Sequence, residues 1–221
     1  MNRLQGKIAV ITGGGSGIGL GAARRFVEEG AFVYLFGRRQ APLDAAVAEL
    51  GAENAQAVQG DISNFADLDR LFDTVKAGKG HIDVLFANAG TGQVAAIGEI
   101  TPEHFDKTFN INVRGTVVMG TPAFSIYSAS KAAIRNLARS WALDLKGTGI
   151  RVNILSPGPT ATELAFTEVG EDAMREMGAS TPLGRIGEPS ETGAVAAFLA
   201  SDDSSFMTGG EVFVDGGFAQ V

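Results

Sequence analysis

Cysteine is absent from the 221 residues, which excludes disulfides, thiolate metal sites and a cysteine nucleophile together. Histidine is scarce: only His81 and His104 occur, and we expect both at the surface, so no metal site is predicted. Long apolar runs are also missing, because stretches such as KIAVIT and AVAAFLA fall far short of the ~20 residues that a membrane span needs. These absences predict a cytoplasmic protein without a membrane partner.

Positive charge is in deficit as well. Lysine and arginine number 18 against 25 acidic residues, which gives a net charge of −7, and no basic run stands out. Such a chain offers no basic patch that would bind a nucleic-acid phosphate backbone, so no nucleic-acid partner is predicted. The length suits one core-bearing domain over residues 1–221, and no linker or repeat divides it.

The chain does have a regular alternation of short apolar runs and segments with helical periodicity. Runs such as KIAVIT, FVYLF and IDVLFANAG lack the polar alternation of a half-exposed strand, which indicates strands that are buried on both faces. Helical segments follow them, and later come a helix near 126–146, the strand IRVNILSPG, a helix near 188–200 and the strand GEVFVDGG. This order predicts an α/β fold in which helices cover both faces of a doubly wound parallel sheet.

Glycines cluster between the first strand and the first helix, in ITGGGSGIGLGAARRF. Without side chains, Gly13, Gly17 and Gly19 would let backbone N–H groups and the helix N-terminus approach a pyrophosphate. Their Gly-x-x-x-Gly-x-Gly spacing differs from the usual G-x-G-x-x-G, and a tight turn without a ligand is the alternative. The position at the first strand-to-helix turn favours dinucleotide binding.

The end of the second strand reads LFGRRQ, where a site that prefers NAD usually places an acidic side chain. Gly37 offers no carboxylate, whereas Arg38 and Arg39 suit a 2′-phosphate. The sequence therefore favours NADP(H) over NAD(H). The alternative is that both arginines are only solvated charges at the surface, in which case the cofactor is NAD(H).

Tyr127 and Lys131 are four residues apart in a predicted helix and hence lie on one face. A tyrosine with a pKa near 10 transfers protons poorly at neutral pH unless a cation stabilises its phenolate, and Lys131 can supply that charge. The alternative is a core tyrosine beside a solvated lysine. We disfavour it because the predicted buried stripe of this helix consists of Ile134, Leu137, Trp141 and Leu145.

Taken in order, TGGGSGIG, NAG at 88–90, Asn112, YSASK at 127–131 and SPGPTAT at 156–162 resemble the classical short-chain dehydrogenase/reductase family. The resemblance implies a Rossmann-type domain with a seven-stranded parallel sheet, a homotetramer, and hydride transfer between a nicotinamide and a small carbonyl or alcohol substrate. It implies that Tyr127, Lys131 and Asn112 are catalytic. The implied cofactor-binding residues are Gly13, Gly15, Ser16, Gly17, Ile18, Gly19, Arg38, Arg39, Asp61, Ile62, Asn88, Ala89, Gly90, Tyr127, Lys131, Pro157, Gly158, Thr160 and Thr162.

One interval departs from the family. The helix that begins after Thr101 and Pro102 should run to about residue 119, and the Tyr127 helix must begin by about Ser125. GTPAFS between them cannot provide the fifth strand, which needs ~5–6 residues plus connections, or the family's catalytic serine. Ser125 lies too close to Tyr127 to serve as that residue.

Two explanations of this join remain open: either the sequence omits residues that the polypeptide has, which we favour, or the protein lacks the strand. Omission predicts a break in the chain near 119–121 and an empty slot beside the strand at 82–87. The missing serine also keeps a rival open, namely a non-catalytic nucleotide-binding sensor or scaffold of the same fold. In either case we expect residues 163–180 to cover a substrate site.

Overall fold

The computed structural model describes residues 2–91, 101–112 and 125–219. They form two compact units, the first comprising Met1–Ala89 with Pro189–Ser204 and the second Gly90–Glu188 with Ser205–Val221. We describe each unit by itself. The single-domain organisation that the sequence suggests stays a prediction.

The first unit is built on a parallel four-stranded sheet. Its strands are β1 (Ile8–Thr12), β2 (Phe32–Gly37), β3 (Ala55–Gln59) and β4 (Val84–Phe86), in the order β3-β2-β1-β4. The central strands β1 and β2 are apolar along nearly their whole length and almost wholly buried, which is typical of a sheet covered on both faces. Val10, Tyr34, Phe36, Leu71 and Val75 form much of the core on one face.

Four helices accompany this sheet: α1 (Gly17–Glu28), α2 (Gln40–Leu50), α3 (Phe65–Lys79) and α8 (Pro189–Ala200), with a 3₁₀ turn at Asp202–Ser204. Helix α3 begins where the Asn64 side chain accepts a hydrogen bond from the Ala66 N–H, and it ends at Gly80 in the left-handed conformation. Helix α1 buries Ala22, Ala23 and Phe26.

The second unit contains α4 (Pro102–Asn112), α5 (Ser125–Asp144), α6 (Glu163–Val169) and α7 (Glu171–Ser180), together with the parallel strands β5 (Ile154–Pro157) and β6 (Glu211–Val214). Helix α4 begins as predicted, because the Thr101 hydroxyl accepts a hydrogen bond from the His104 N–H and Pro102 occupies the first turn. Ile134, Ala138 and Ile154 pack α5 onto β5.

Two side-chain placements predicted from the sequence are wrong. Trp141 is 45% exposed, although Ile134 of the same predicted stripe is buried. The buried residues of α5 also include Lys131 and Ala138, which were not predicted to be buried. His104 is only half exposed, and its Nε2 is buried without a hydrogen-bond partner in the described part of the chain. Strands β5 and β6 are also shorter than the apolar runs that predict them.

The predicted continuation of α4 to residue 119 and the join at 119–121 lie outside the described residues. The empty slot between β4 and β5 also stays a prediction. No helix in the described ranges is both long enough and apolar enough to cross a membrane.

Candidate functional site

The glycine turn after β1 brings the backbone into contacts that no larger residue could make. Gly13 has a φ of 69°, and a Cβ atom on it would lie 2.8 Å from the Asn88 Nδ2 atom. A Cβ on Gly19 would collide with the carbonyl oxygen of Gly13. The backbone of the turn can therefore adopt this conformation only with glycine at positions 13 and 19.

The N-terminus of α1 is open to an anion. Ser16 is the N-cap residue, but its side chain makes no capping hydrogen bond, and no acidic side chain lies in the first turn around Gly17 and Ile18. The orphan N–H groups and the positive end of the helix dipole are thus free of a side-chain acceptor, as a pyrophosphate site requires. The turn from Gly13 through Gly15 to Gly19 fits a dinucleotide.

Thr12 connects this turn to Asn88 and Ala89. Its hydroxyl oxygen accepts hydrogen bonds from the backbone N–H groups of Asn88 and Ala89, both at 3.0 Å, and the Asn88 Nδ2 donates to the Thr12 carbonyl at 2.9 Å. Sequence reasoning missed Thr12. The available signal is a threonine that ends an otherwise apolar strand directly before a glycine turn.

A polar cavity of about 390 Å³ opens beyond the ends of β2 and β3. Hydrogen bonds connect its walls: the Asp67 carboxylate accepts from the Asp61 N–H at 2.8 Å, and the Gln59 amide donates to the Arg38 carbonyl at 3.0 Å. The Arg70 guanidinium donates to the Gln59 carbonyl and pairs with Asp67, each at 2.7 Å. The lining residues are Arg38, Gln59, Gly60, Asp61, Asp67 and Arg70.

Asp61 is held ionised in this cavity. Partial burial opposes the charge, but two hydrogen bonds from Ser63 and the nearby Arg38 outweigh it and keep the pKa of Asp61 below its ordinary value. The adjacent Ile62 is half buried and packs against the core.

Only one of the two predicted arginines lines this cavity. Arg38 does so, whereas Arg39 is exposed and occupies the N-cap position of α2. The walls carry two arginines and two aspartates, so their formal charges cancel. Gln59, Asp67 and Arg70 were not predicted. Their relation to Arg38 depends on how β2 and β3 pair, which local sequence does not reveal.

Tyr127 and Lys131 are adjacent on α5, as their spacing predicts. The Lys131 Nζ lies 5.0 Å from the centroid of the Tyr127 ring, and Lys131 is only 5% exposed. Burial lowers the pKa of Lys131 to about 7 and raises the pKa of Tyr127. The alternative of a solvated lysine is therefore wrong.

Asn112 is fully buried at the end of α4 and clamps the backbone of Thr91. Its Oδ1 accepts from the Thr91 N–H at 2.7 Å, and its Nδ2 donates to the Thr91 carbonyl at 2.6 Å. Thr91 directly follows Asn88, Ala89 and Gly90. Both polar atoms of the amide thus fix this segment, an arrangement that the sequence did not predict.

The segment Pro157–Thr162 leaves the end of β5 and is anchored on both sides. The Gly158 N–H donates to the Val214 carbonyl at 3.0 Å, and Thr160 forms a bridge with Gly187. The Thr162 side chain caps α6 by accepting from the Ala165 N–H at 3.1 Å. The predicted cofactor-holding segment is therefore a defined loop.

The comparisons with known proteins agree with this description. Residues 7–121 match the family model for short chain dehydrogenases, and residues 116–219 match the model described as enoyl-(acyl carrier protein) reductase. A solved short chain dehydrogenase/reductase family protein is 34% identical with a TM-score of 0.87, over 98% of this chain and 99% of that one. The chain belongs to the short-chain dehydrogenase/reductase family, and its α/β Rossmann-like fold with parallel strands is confirmed.

Full-length relatives define the class further. The oxidoreductase asL5 of Sarocladium schorii is 51% identical over 100% of this chain and 99% of its own length. The NADP-dependent (R)-specific alcohol dehydrogenase of Lentilactobacillus kefiri is 34% identical over 98% of each chain. The protein is thus an oxidoreductase of the dehydrogenase type, and its family implies an NAD(P) cofactor and alcohol or carbonyl substrates.

The alignments also bear on the join. The match to the Sarocladium schorii relative runs over 247 positions, 26 more than the 221 residues of this chain, so at least 26 positions face gaps in this chain. The ranges matched by the two family models overlap at residues 116–121, the region where the sequence predicts missing residues. These findings support the loss of a segment relative to the family.

Proposed function

We propose that the protein is an NADP(H)-dependent reductase or dehydrogenase of a small carbonyl or alcohol substrate, with Tyr127 as its acid/base. One observation carries this proposal: the Lys131 ammonium is buried beside the ring of Tyr127. A protonated lysine this near the ring would favour a phenolate, and it would have to offset burial, which raises the pKa of Tyr127 and lowers that of Lys131. A merely structural lysine would keep its charge in water.

The bound dinucleotide supplies or accepts the hydride at the substrate carbon. In the reducing direction, the Tyr127 hydroxyl donates its proton to the substrate oxygen as the carbonyl becomes an alcohol, and the phenolate then regains a proton from solvent. Protonated Lys131 stabilises that phenolate. Asn112 holds the backbone at Thr91, which follows the predicted ribose-contacting residues Asn88, Ala89 and Gly90.

NADP(H) is the preferred cofactor in this proposal, and NAD(H) is the alternative. Arg38 in the cavity supports a contact with the 2′-phosphate, and the relative from Lentilactobacillus kefiri is named as NADP-dependent. Asp61 and Asp67 oppose the preference, because their carboxylates balance the charges of Arg38 and Arg70. We further propose a cytoplasmic homotetramer, in which α6 and α7 cover the substrate.

The rival is a dinucleotide-binding sensor or scaffold without turnover. It is favoured by the apparent loss of the segment that carries the family's catalytic serine. In the described part of the chain, the Ser130 hydroxyl does not replace it, because it donates to the Tyr127 carbonyl at 2.6 Å. The rival is disfavoured by the buried Lys131 beside Tyr127, which a sensor does not need. Turnover distinguishes the two.

Substitution of Tyr127 by Phe in the full-length protein tests the proposal. NADPH oxidation is followed with a panel of keto acids, sugars, steroids and acyl thioesters, and the rate should fall at least about 100-fold while NADPH still binds. Tyr34→Phe is the matched control, since Tyr34 is the only other tyrosine and lies in the core of the first unit. If Tyr127→Phe reduced carbonyls at the rate of the parent, Tyr127 would not be the acid/base.

A further inference from the structure

A partly buried ion pair lies one turn beyond Lys131 on α5. The Arg135 Nε donates to the Glu211 Oε2 at 2.7 Å, and its Nη2 also pairs with this oxygen. The Ser156 hydroxyl donates to the other oxygen, Oε1, at 2.9 Å. The Glu211 side chain is only 9% exposed and both of its oxygens accept hydrogen bonds, whereas the Arg135 side chain is 32% exposed.

This pair joins three elements of the second unit. Arg135 lies on α5, Glu211 begins β6, and Ser156 belongs to β5 directly before Pro157. Lys131 and Arg135 are four residues apart and so share one face of the helix. Glu211 therefore connects the helix turn next to Lys131 with the strand end at which the segment Pro157–Thr162 begins.

Apolar packing alone would fix this relationship loosely. The buried apolar contact between α5 and β5 consists of Ile134, Ala138 and Ile154, and such contacts have no preferred direction along the helix axis. Charge-assisted hydrogen bonds depend on distance and angle, so they set the position of the helix along the strand. A shift of about 1 Å in a catalytic group can reduce a rate about 100-fold.

We propose that Arg135 and Glu211 are positioning residues, whose ion pair holds Lys131 in register with the cofactor-holding segment that begins at Pro157. The inference rests on the proposed function, because it assigns both ends of this link to dinucleotide binding. It adds a pair of residues that neither the glycine turn nor the Tyr127–Lys131 spacing reveals.

Three variants and a control test this role. Glu211→Gln removes the charge, Arg135→Lys keeps the charge but loses the paired donors, and the double variant Arg135→Met/Glu211→Met replaces the pair by apolar side chains. The control is Arg139→Gln, one further turn along α5, where the arginine is exposed. The readouts are Tm, the Kd and KM for NADPH, kcat, and the exchange rates of the amides at 156–162.

We expect Glu211→Gln to raise the Kd for NADPH about tenfold and to lower kcat, with Arg135→Lys intermediate and Arg139→Gln like the parent. The double variant should recover Tm, because no unpaired charge remains buried, but should not recover affinity. A purely structural role predicts that Tm and affinity recover together. That result, or parental affinity in all variants, would overturn the proposal.

Failure of the proposed function would look different, because the parent itself would then show no turnover or would bind no dinucleotide. Amide exchange still tests the link in that case. Exchange at 156–162 that is faster in Glu211→Gln than in the parent supports the link, and equal exchange contradicts it.

Discussion

Gly193 of α8 packs directly on Gly21 of α1: a Cβ atom on Gly193 would lie 2.6 Å from the Gly21 carbonyl oxygen. The approach is reciprocal, since a Cβ on Gly21 would lie 2.6 Å from the carbonyl oxygen of Pro189. Two glycines thus let the backbones of α1 and α8 touch, and this contact joins the C-terminal part of the first unit to the helix that follows the dinucleotide turn.

Gly193→Ala should lower the free energy of unfolding by about 1–3 kcal/mol, because the added methyl group meets backbone that cannot rotate away. Urea denaturation measures the change. Gly210→Ala is the control, since a Cβ there would meet nothing closer than 3.6 Å. Equal stability of the two variants would contradict the close contact.

Glu29 should give the protein an acid-sensitive contribution to stability. The hydrogen bonds from Arg3, with a smaller contribution from Arg25, lower the pKa of this buried carboxyl from 4.5 to about 2. Because the folded pKa is below the unfolded one, the contribution is complete above pH 4.5 and is lost as the pH falls towards 2. Glu29→Gln should therefore destabilise the protein at pH 7 and much less near pH 2. A difference that does not change with pH would exclude this linkage.

Lys131 should oppose folding at neutral and lower pH. Burial lowers its pKa from the ordinary value of 10.5 to about 7, so between these two pH values the unfolded state binds more protons and stability rises with pH. Lys131→Met should stabilise the protein by a few kcal/mol at pH 6, and the gain should shrink towards pH 10. Thermal unfolding at both pH values measures it. If the stabilisation by Lys131→Met increased with pH, it would contradict a lowered pKa of Lys131 in the folded protein.

Cofactor preference should depend on Arg38 much more than on Arg39, because only Arg38 lines the cavity. Arg38→Gln should weaken NADPH binding about tenfold or more without weakening NADH binding. In the parent, the ratio of the dissociation constants for NADH and NADPH should decrease as the salt concentration rises, because the contact is between charges. Arg39→Gln serves as the matched control. Equal affinity of the parent for both cofactors, or tighter NADH, would overturn the preference.

Much of the fold follows from the sequence because it is encoded locally. Buried parallel strands are apolar without alternation, and the glycine turn and the Tyr127–Lys131 spacing are contiguous patterns. The Thr101 cap and the helix start at Pro102 are equally local. The cap, the glycine turn and the buried strands β1 and β2 agree with the structure. Strand β4, from IDVLFANAG, does not, because it is only partly buried.

Contacts between distant segments could not be predicted in this way. Thr12 meets Asn88 across 76 positions of sequence, and Arg135 meets Glu211 across the same separation. Trp141 continues the apolar periodicity of α5 but is 45% exposed, whereas the polar Lys131 is buried. Because lysine is hydrophilic, the apolar periodicity could not predict its burial, and it wrongly assigned Trp141 to the buried face.

The join near residue 120 decides whether this site is complete. In the described part of the first unit, β4 is an edge strand paired only with β1, and Leu85 at its centre is 55% exposed, as expected if a neighbouring strand is missing. The intact mass of the protein from its native source is the most direct test. We expect a mass that exceeds 22.9 kDa by at least the mass of about 26 residues, in a protein that reduces carbonyls. A mass of 22.9 kDa, with dinucleotide binding but no turnover, would contradict it and favour the sensor.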